Sequence, residues 1–171
     1  MARIRLALTA CFLSASLLGC APTTGSNQLN SQRGSAIVVP ATLVKVAILE
    51  DLGLRGQHPN KNFGAFFVHV DKPEVPFFEN LFKDNIPRAE FSADPKGRFP
   101  SLDTRNGGAI DRKTKKQAAV YGFQKIDVKG DQAESEVVES FGSLGITINE
   151  FSLSLQDGKW VVRKHSRKAL S

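Results

Sequence analysis

Three histidines and two cysteines are the side chains of this sequence best suited to acid–base, nucleophilic or metal chemistry. His165 has the most suggestive surroundings. Asp157-Gly158 is a strong two-residue hairpin turn, and a hairpin closed there sets Leu155 opposite Trp160, Leu153 opposite Val162 and Phe151 opposite Lys164. The other face then carries Ser152 against Arg163 and Glu150 against His165, a polar, candidate binding surface. A carboxylate that orients an imidazole is the start of acid–base machinery, with Arg163 two residues away on the same face. A surface ion pair is the competing reading, because catalysis also needs a nucleophile and a water-excluding cleft. His58, in Gly56-Gln57-His58-Pro59, reads as an exposed loop residue. His69 falls on the side of its strand away from Phe66, Val68 and Val70.

No His-x-x-x-His or His-Glu-x-x-His occurs, and Asp103, Asn106 and Asp111 lack the spacing of a calcium loop. Gly107-Gly108 is not followed by the Lys-Ser/Thr of a phosphate-cradling loop. No metal and no cofactor is therefore expected. The densest basic run, Arg112, Lys113, Lys115 and Lys116, is a candidate membrane-facing surface, since each cation close to an anionic leaflet contributes about 1 kcal/mol. A solvated approach to a strand is the plainer alternative.

The start of the chain speaks to location. Arg3 and Arg5 precede an apolar stretch from Leu6 to Leu18, which as a helix would reach roughly 20 Å, short of the ~30 Å of a bilayer core. Such a segment fits a cleaved secretory signal. The Leu17-Leu18-Gly19-Cys20 that follows resembles the lipobox of bacterial lipoproteins. The resemblance implies diacylglycerol on the Cys20 thiol, cleavage before it and acylation of the new amino terminus. Ala21, in place of the Asp of an inner-membrane retention signal, favours the outer membrane of a Gram-negative envelope, with the domain facing the periplasm. The expected organisation is a signal peptide at 1–19, the lipidated Cys20 with a small, polar tether at 20–36, and one domain at 37–171.

With Cys11 lost in the signal and Cys20 on lipid, no thiol remains for disulfides, metals or nucleophilic catalysis. Without Arg3 and Arg5 the 23 basic residues become 21 against 17 acidic, a net charge of +4. That scattered excess, on an exported chain, argues against nucleic acid as a partner.

The elements that must position these residues follow from periodicity. Pro40 opens a helix to about Leu54, with Leu43, Val44, Ala47, Ile48 and Leu52 on one stripe. A strand through Leu43–Leu49 competes. Phe63–Val70 reads as a buried strand, Pro76 to about Asp84 as a second helix stopped by Pro87, and Arg88–Ser92 as a short strand. Asp94–Lys116, rich in Gly and Pro, reads as a long loop, either a functional flap or a mobile insert. Gly130-Asp131 turns a hairpin that sets Val128 opposite Ala133, Lys125 opposite Glu136, Asp127 opposite Glu134, Gln124 opposite Val137 and Val120 opposite Phe141. Tyr121, Phe123 and Val138 then share the second face. The fold class is α+β, with two helices packed on a curved antiparallel sheet that ends in a four-strand meander. That order resembles the nuclear-transport-factor-two-like superfamily and, similarly, cystatin-like domains, which host both enzymes and inert binding modules.

The expected function is a membrane-anchored envelope lipoprotein that binds a partner protein without catalysis. The rivals are a small pocket enzyme using His165 and Glu150, and a carrier enclosing an apolar ligand among Phe63, Phe66, Phe67, Phe77, Phe78 and Phe82.

Overall fold

The computed structural model describes residues 39–54, 63–94, 96, 98–105, 107–142 and 145–170. All belong to the unit Gly34–Ser171. The signal peptide, Cys20, the tether and His58 lie outside the described residues. The elements are α1 (Pro40–Asp51), β1 (Phe63–His69), a 3-10 turn (Lys72–Glu74), α2 (Val75–Leu81), β2 (Arg88–Ser92), β3 (Leu102–Asp103), β4 (Ile110–Asp111), β5 (Gln117–Lys129), β6 (Gln132–Ser140), β7 (Ile146–Gln156) and β8 (Lys159–Leu170). Among the described residues no helix is long and apolar enough to cross a membrane.

Pro40 occupies the first turn of α1, where its missing N–H costs nothing. Gly53, at φ 97°, supplies the left-handed residue that ends it. α2 begins at Val75 with Pro76 in its first turn, and is preceded by the 3-10 turn.

The eight-stranded sheet runs β2-β1-β5-β6-β7-β8, with β3 and β4 joined beside β5. It is mixed rather than antiparallel: β1 pairs parallel with both β2 and β5, while β5 to β8 pair antiparallel in chain order. The correction has a physical cause. α2 carries the chain from the end of β1 back toward its start, so β2 must enter in the same direction. The continuous apolar run of β1 also marks a strand covered on both faces. Val44, Ile48, Phe66, Phe78, Phe151 and Leu153 form the main core between helices and sheet. Ala65, Phe67, Phe99, Leu102, Ala109 and Ala118 form a second core on the outer face.

Asp94–Lys116 is therefore neither flap nor loose insert. It pairs β3 with β4 and lays Phe99, Leu102 and Ala109 across the outer face. Asp111, fully buried, clasps this cover: it accepts from Arg88 (2.6 Å), the Thr114 hydroxyl (2.7 Å) and the N–H groups of Lys113 and Thr114. Burial alone would raise its pKa, but these donors hold the carboxyl below its ordinary value. A Cβ at Gly64 would stand 2.0 Å from Thr114 Oγ1, so glycine is what lets the clasp close.

Two bulges overturn parts of the expected register. Between Phe123 and Lys125 the β5–β6 ladder shifts, so Phe123, not Gln124, opposes Val137, and Val120 opposes Ser140 rather than Phe141. Tyr121 and Phe123 thereby join the main core. Nearer the turn, Val128, Asp127 and Lys125 meet Ala133, Glu134 and Glu136 as expected. The second bulge places an extra residue in β8. Leu153 opposes Val162, but beyond it Ser152 meets Lys164, Phe151 meets His165 and Glu150 meets Ser166.

Candidate functional site

α1 turns Thr42 and Lys45, three residues apart, toward the corner where β1 becomes the 3-10 turn. There Asp71 and Glu74 form a capping box that folds the Glu74 carboxylate back onto the Asp71 N–H. The Lys45 ammonium lies 2.8 Å from Asp71 Oδ2 and 2.6 Å from Glu74 Oε2, and the Thr42 hydroxyl donates to Glu74 Oε1 at 2.6 Å. The Lys45 and Glu74 side chains are 6% and 10% exposed, that of Asp71 76%. Lys45 Nζ also stands 5.7 Å from the centre of the Phe123 ring. No motif announces this cluster. Its only sequence signal is the Asp71-x-x-Glu74 spacing of a capping box.

Beside the cluster lies a cleft of about 550 Å³, bounded by Ala41 and Lys45, by the ends of β1 and β2, and by Phe123–Ile126 of β5. It exists because β1 pairs with β5 only as far as Gly122, whereas β5 runs on to Lys129 with β6 as its strand neighbour. The side of β5 that β1 leaves uncovered becomes a wall. His69 enters from the end of β1, its ring 4.6 Å from that of Phe99. Burial lowers its pKa, with Asp94 partly offsetting the effect. Asp94 itself is held below the usual carboxylate range by the Lys96 N–H and by Arg98.

The expected pairing of Glu150 with His165 does not form, because the β8 bulge at Arg163 carries the histidine to the opposite face. His165 stacks on Phe151 at 4.2 Å, with Nδ1 3.0 Å from Asp51 Oδ2 and Nε2 3.0 Å from Asn149 Oδ1. Asn149 Nδ2 faces Glu139 Oε2 at 3.5 Å. That carboxylate also accepts from Arg167 (2.9 Å) and from the Tyr121 hydroxyl (3.1 Å). Burial, then the neighbouring Glu139, pushes the Tyr121 pKa far up. This chain ties the end of α1 to four strands. Glu150 instead bonds Lys168 at 2.5 Å and Ser166 at 3.2 Å, contacts that lower its pKa, and Arg163 donates to Ser154 Oγ at 2.7 Å. The three residues grouped by the sequence thus have three separate sets of partners. The consecutive Trp160, Val161 and Val162, which break strict alternation, were the one hint of a bulge.

Arg112, Lys113, Lys115 and Lys116 are exposed on the turn between β4 and β5. The Phe-rich stretch is filled by its own rings: Phe78 lies 5.4 Å from Phe91 and 6.2 Å from Phe82, all buried. Among the described residues, no group of three or more His, Cys, Asp or Glu side chains is placed to hold a metal.

No protein-family model matches the chain. No curated protein matches it. Among solved structures it is similar to an NTF2-like protein of unknown function from Shewanella baltica OS155, at 15% identity and a TM-score of 0.35, over 78% of this chain and 99% of that one.

Proposed function

We propose that the chain is an envelope lipoprotein, anchored through an acylated Cys20 to the outer membrane and facing the periplasm, whose domain binds an extended segment of a partner protein in the cleft beside β5. The observation that carries this reading is the side of β5 beyond Gly122, which no strand covers among the described residues. A strand side without a neighbour offers backbone donors and acceptors to an incoming chain, and here it is walled by Lys45, His69 and Ile126. The separate partners of Glu150 and His165 weigh against the pocket-enzyme reading. The mutual packing of Phe78, Phe82 and Phe91 weighs against an apolar-ligand carrier.

A photo-reactive residue placed at Gln124 in intact cells should give one discrete adduct, whose yield falls when Ile126→Arg fills the cleft. The same residue at Glu79, exposed on α2, should give none. Equal labelling at both positions, or none at either, counts against the cleft.

A further inference from the structure

The basic turn between β4 and β5 does not stand alone. On the outer face of the sheet, Ile146 and Leu170 are cross-strand partners, 44% and 52% exposed. Ile148 and Lys168 form the next pair along that face, since Thr147, Asn149 and Phe151 alternate to the buried side. Arg112, Lys113 and Lys116 border the same face, because Asp111 of their turn, which accepts from the Thr114 hydroxyl, also binds Arg88, whose guanidinium lies 5.5 Å from the Phe67 ring in the outer core.

The carboxylates nearest these cations are buried or paired. Asp111 is fully buried on Arg88, and Glu139 is 6% exposed. Farther along the outer face, Glu136 meets Lys125 and Glu150 meets Lys168. Asp103, beside Arg112, is paired with Arg105 at 2.7 Å, and exposed Asp131 and Asp157 stand at the hairpin tips of the opposite end. Exposed aliphatics flanked by exposed cations match the chemistry of an anionic bilayer surface, which takes apolar side chains at its boundary and cations at its headgroups.

We infer that this rim, built on Ile146, Leu170, Arg112, Lys113, Lys116 and Lys168, rests on an anionic lipid surface. Chain length permits it: residues 21–39, at no more than about 3.5 Å each, reach up to ~65 Å, whereas Phe123 lies only ~23 Å along β5 from Lys116. The cleft then opens away from the bilayer, toward the partner. The inference rests on the proposed anchor only for bringing the domain to a membrane.

The test uses the mature chain, residues 20–171 with Cys20→Ser, which carries neither acyl groups nor the apolar Leu6–Leu18 segment, so that failure of the anchor and failure of this surface are read separately. It is sedimented with vesicles of phosphatidylcholine alone or mixed with phosphatidylglycerol. Preferential binding to the mixed vesicles is expected, and it should disappear in molar salt, where the Debye length falls to about 3 Å. Lys113→Glu with Lys116→Glu should weaken binding by at least ~25-fold, at roughly fivefold per cation removed. Lys129→Glu with Lys159→Glu, at the far hairpin tips, should leave it unchanged, and unaltered thermal melts establish that each variant is folded. Equal binding to both vesicle types, equal loss in both double variants, or no binding overturns the inference. Self-association abolished by the Lys113/Lys116 pair would assign the rim to a second copy and overturn it as well.

Discussion

Replacing Lys45 by Met removes the cation from a carboxylate that has little access to water. Glu74 would keep the Thr42 hydroxyl and the Asp71 N–H as donors, yet its charge would stay buried without a counter-ion. Breaking a buried pair in this way costs about 3–5 kcal/mol. The two remaining donors place Lys45→Met near the lower bound, a fall in Tm of roughly 10 °C for a domain of this size. Asp71→Asn should cost under about 1 kcal/mol, because an exposed partner is screened by solvent. The informative variant is Lys45→Met with Glu74→Gln, which retires the charge and keeps the acceptor, and most of the loss should return. Urea unfolding followed by the fluorescence of Trp160, the single tryptophan, measures all four chains. A loss below about 1 kcal/mol for Lys45→Met, or a double variant no more stable than it, would show that the cluster does not fix α1 against β1, and the cleft would lose a wall.

Phe78→Ala removes a fully buried ring in contact with Phe77, Phe82 and Phe91 and should cost about 3–5 kcal/mol, read from the shift of the urea midpoint. Gly64→Ala should displace Thr114 and cost about 1–3 kcal/mol; Thr114→Ala in the same chain should restore part of this, and a Gly64→Ala chain of unchanged stability would contradict the clasp. Because the folded pKa of His69 lies below the unfolded 6.5, the unfolded state binds more protons in the interval between them. Its contribution to stability is therefore intact above pH 6.5 and lost as pH falls through the folded value. His69→Gln should flatten that part of a stability–pH profile, and an unaltered slope would refute the assignment.

Local patterns in the sequence carried much of the fold. Pro40, the apolar spacing of α1, the Asp157-Gly158 turn and the β5–β8 hairpins are set by residues near one another in the chain. Contacts between distant segments were not visible in this way. The parallel pairing of β1 depends on where α2 returns the chain, and the outer core depends on Phe99 and Leu102 meeting Phe67 across a stretch that looks like loop. Each bulge changes the facing of every residue beyond it, which is why the Phe151–Lys164 and Glu150–His165 pairings failed although the turn and the pairs Leu155–Trp160 and Leu153–Val162 were right. The cleft was illegible for a similar reason: it arises where two strands stop and a third continues, a difference in length between segments some fifty residues apart in sequence.

The most direct measurement for an anchored binding domain is the intact mass of the chain extracted from the membranes of a Gram-negative host. A species beginning at Cys20 and carrying diacylglycerol plus one amide-linked acyl chain is predicted, lost in the Cys20→Ser chain. An unmodified mass, or cleavage at another residue, would contradict the account at its foundation.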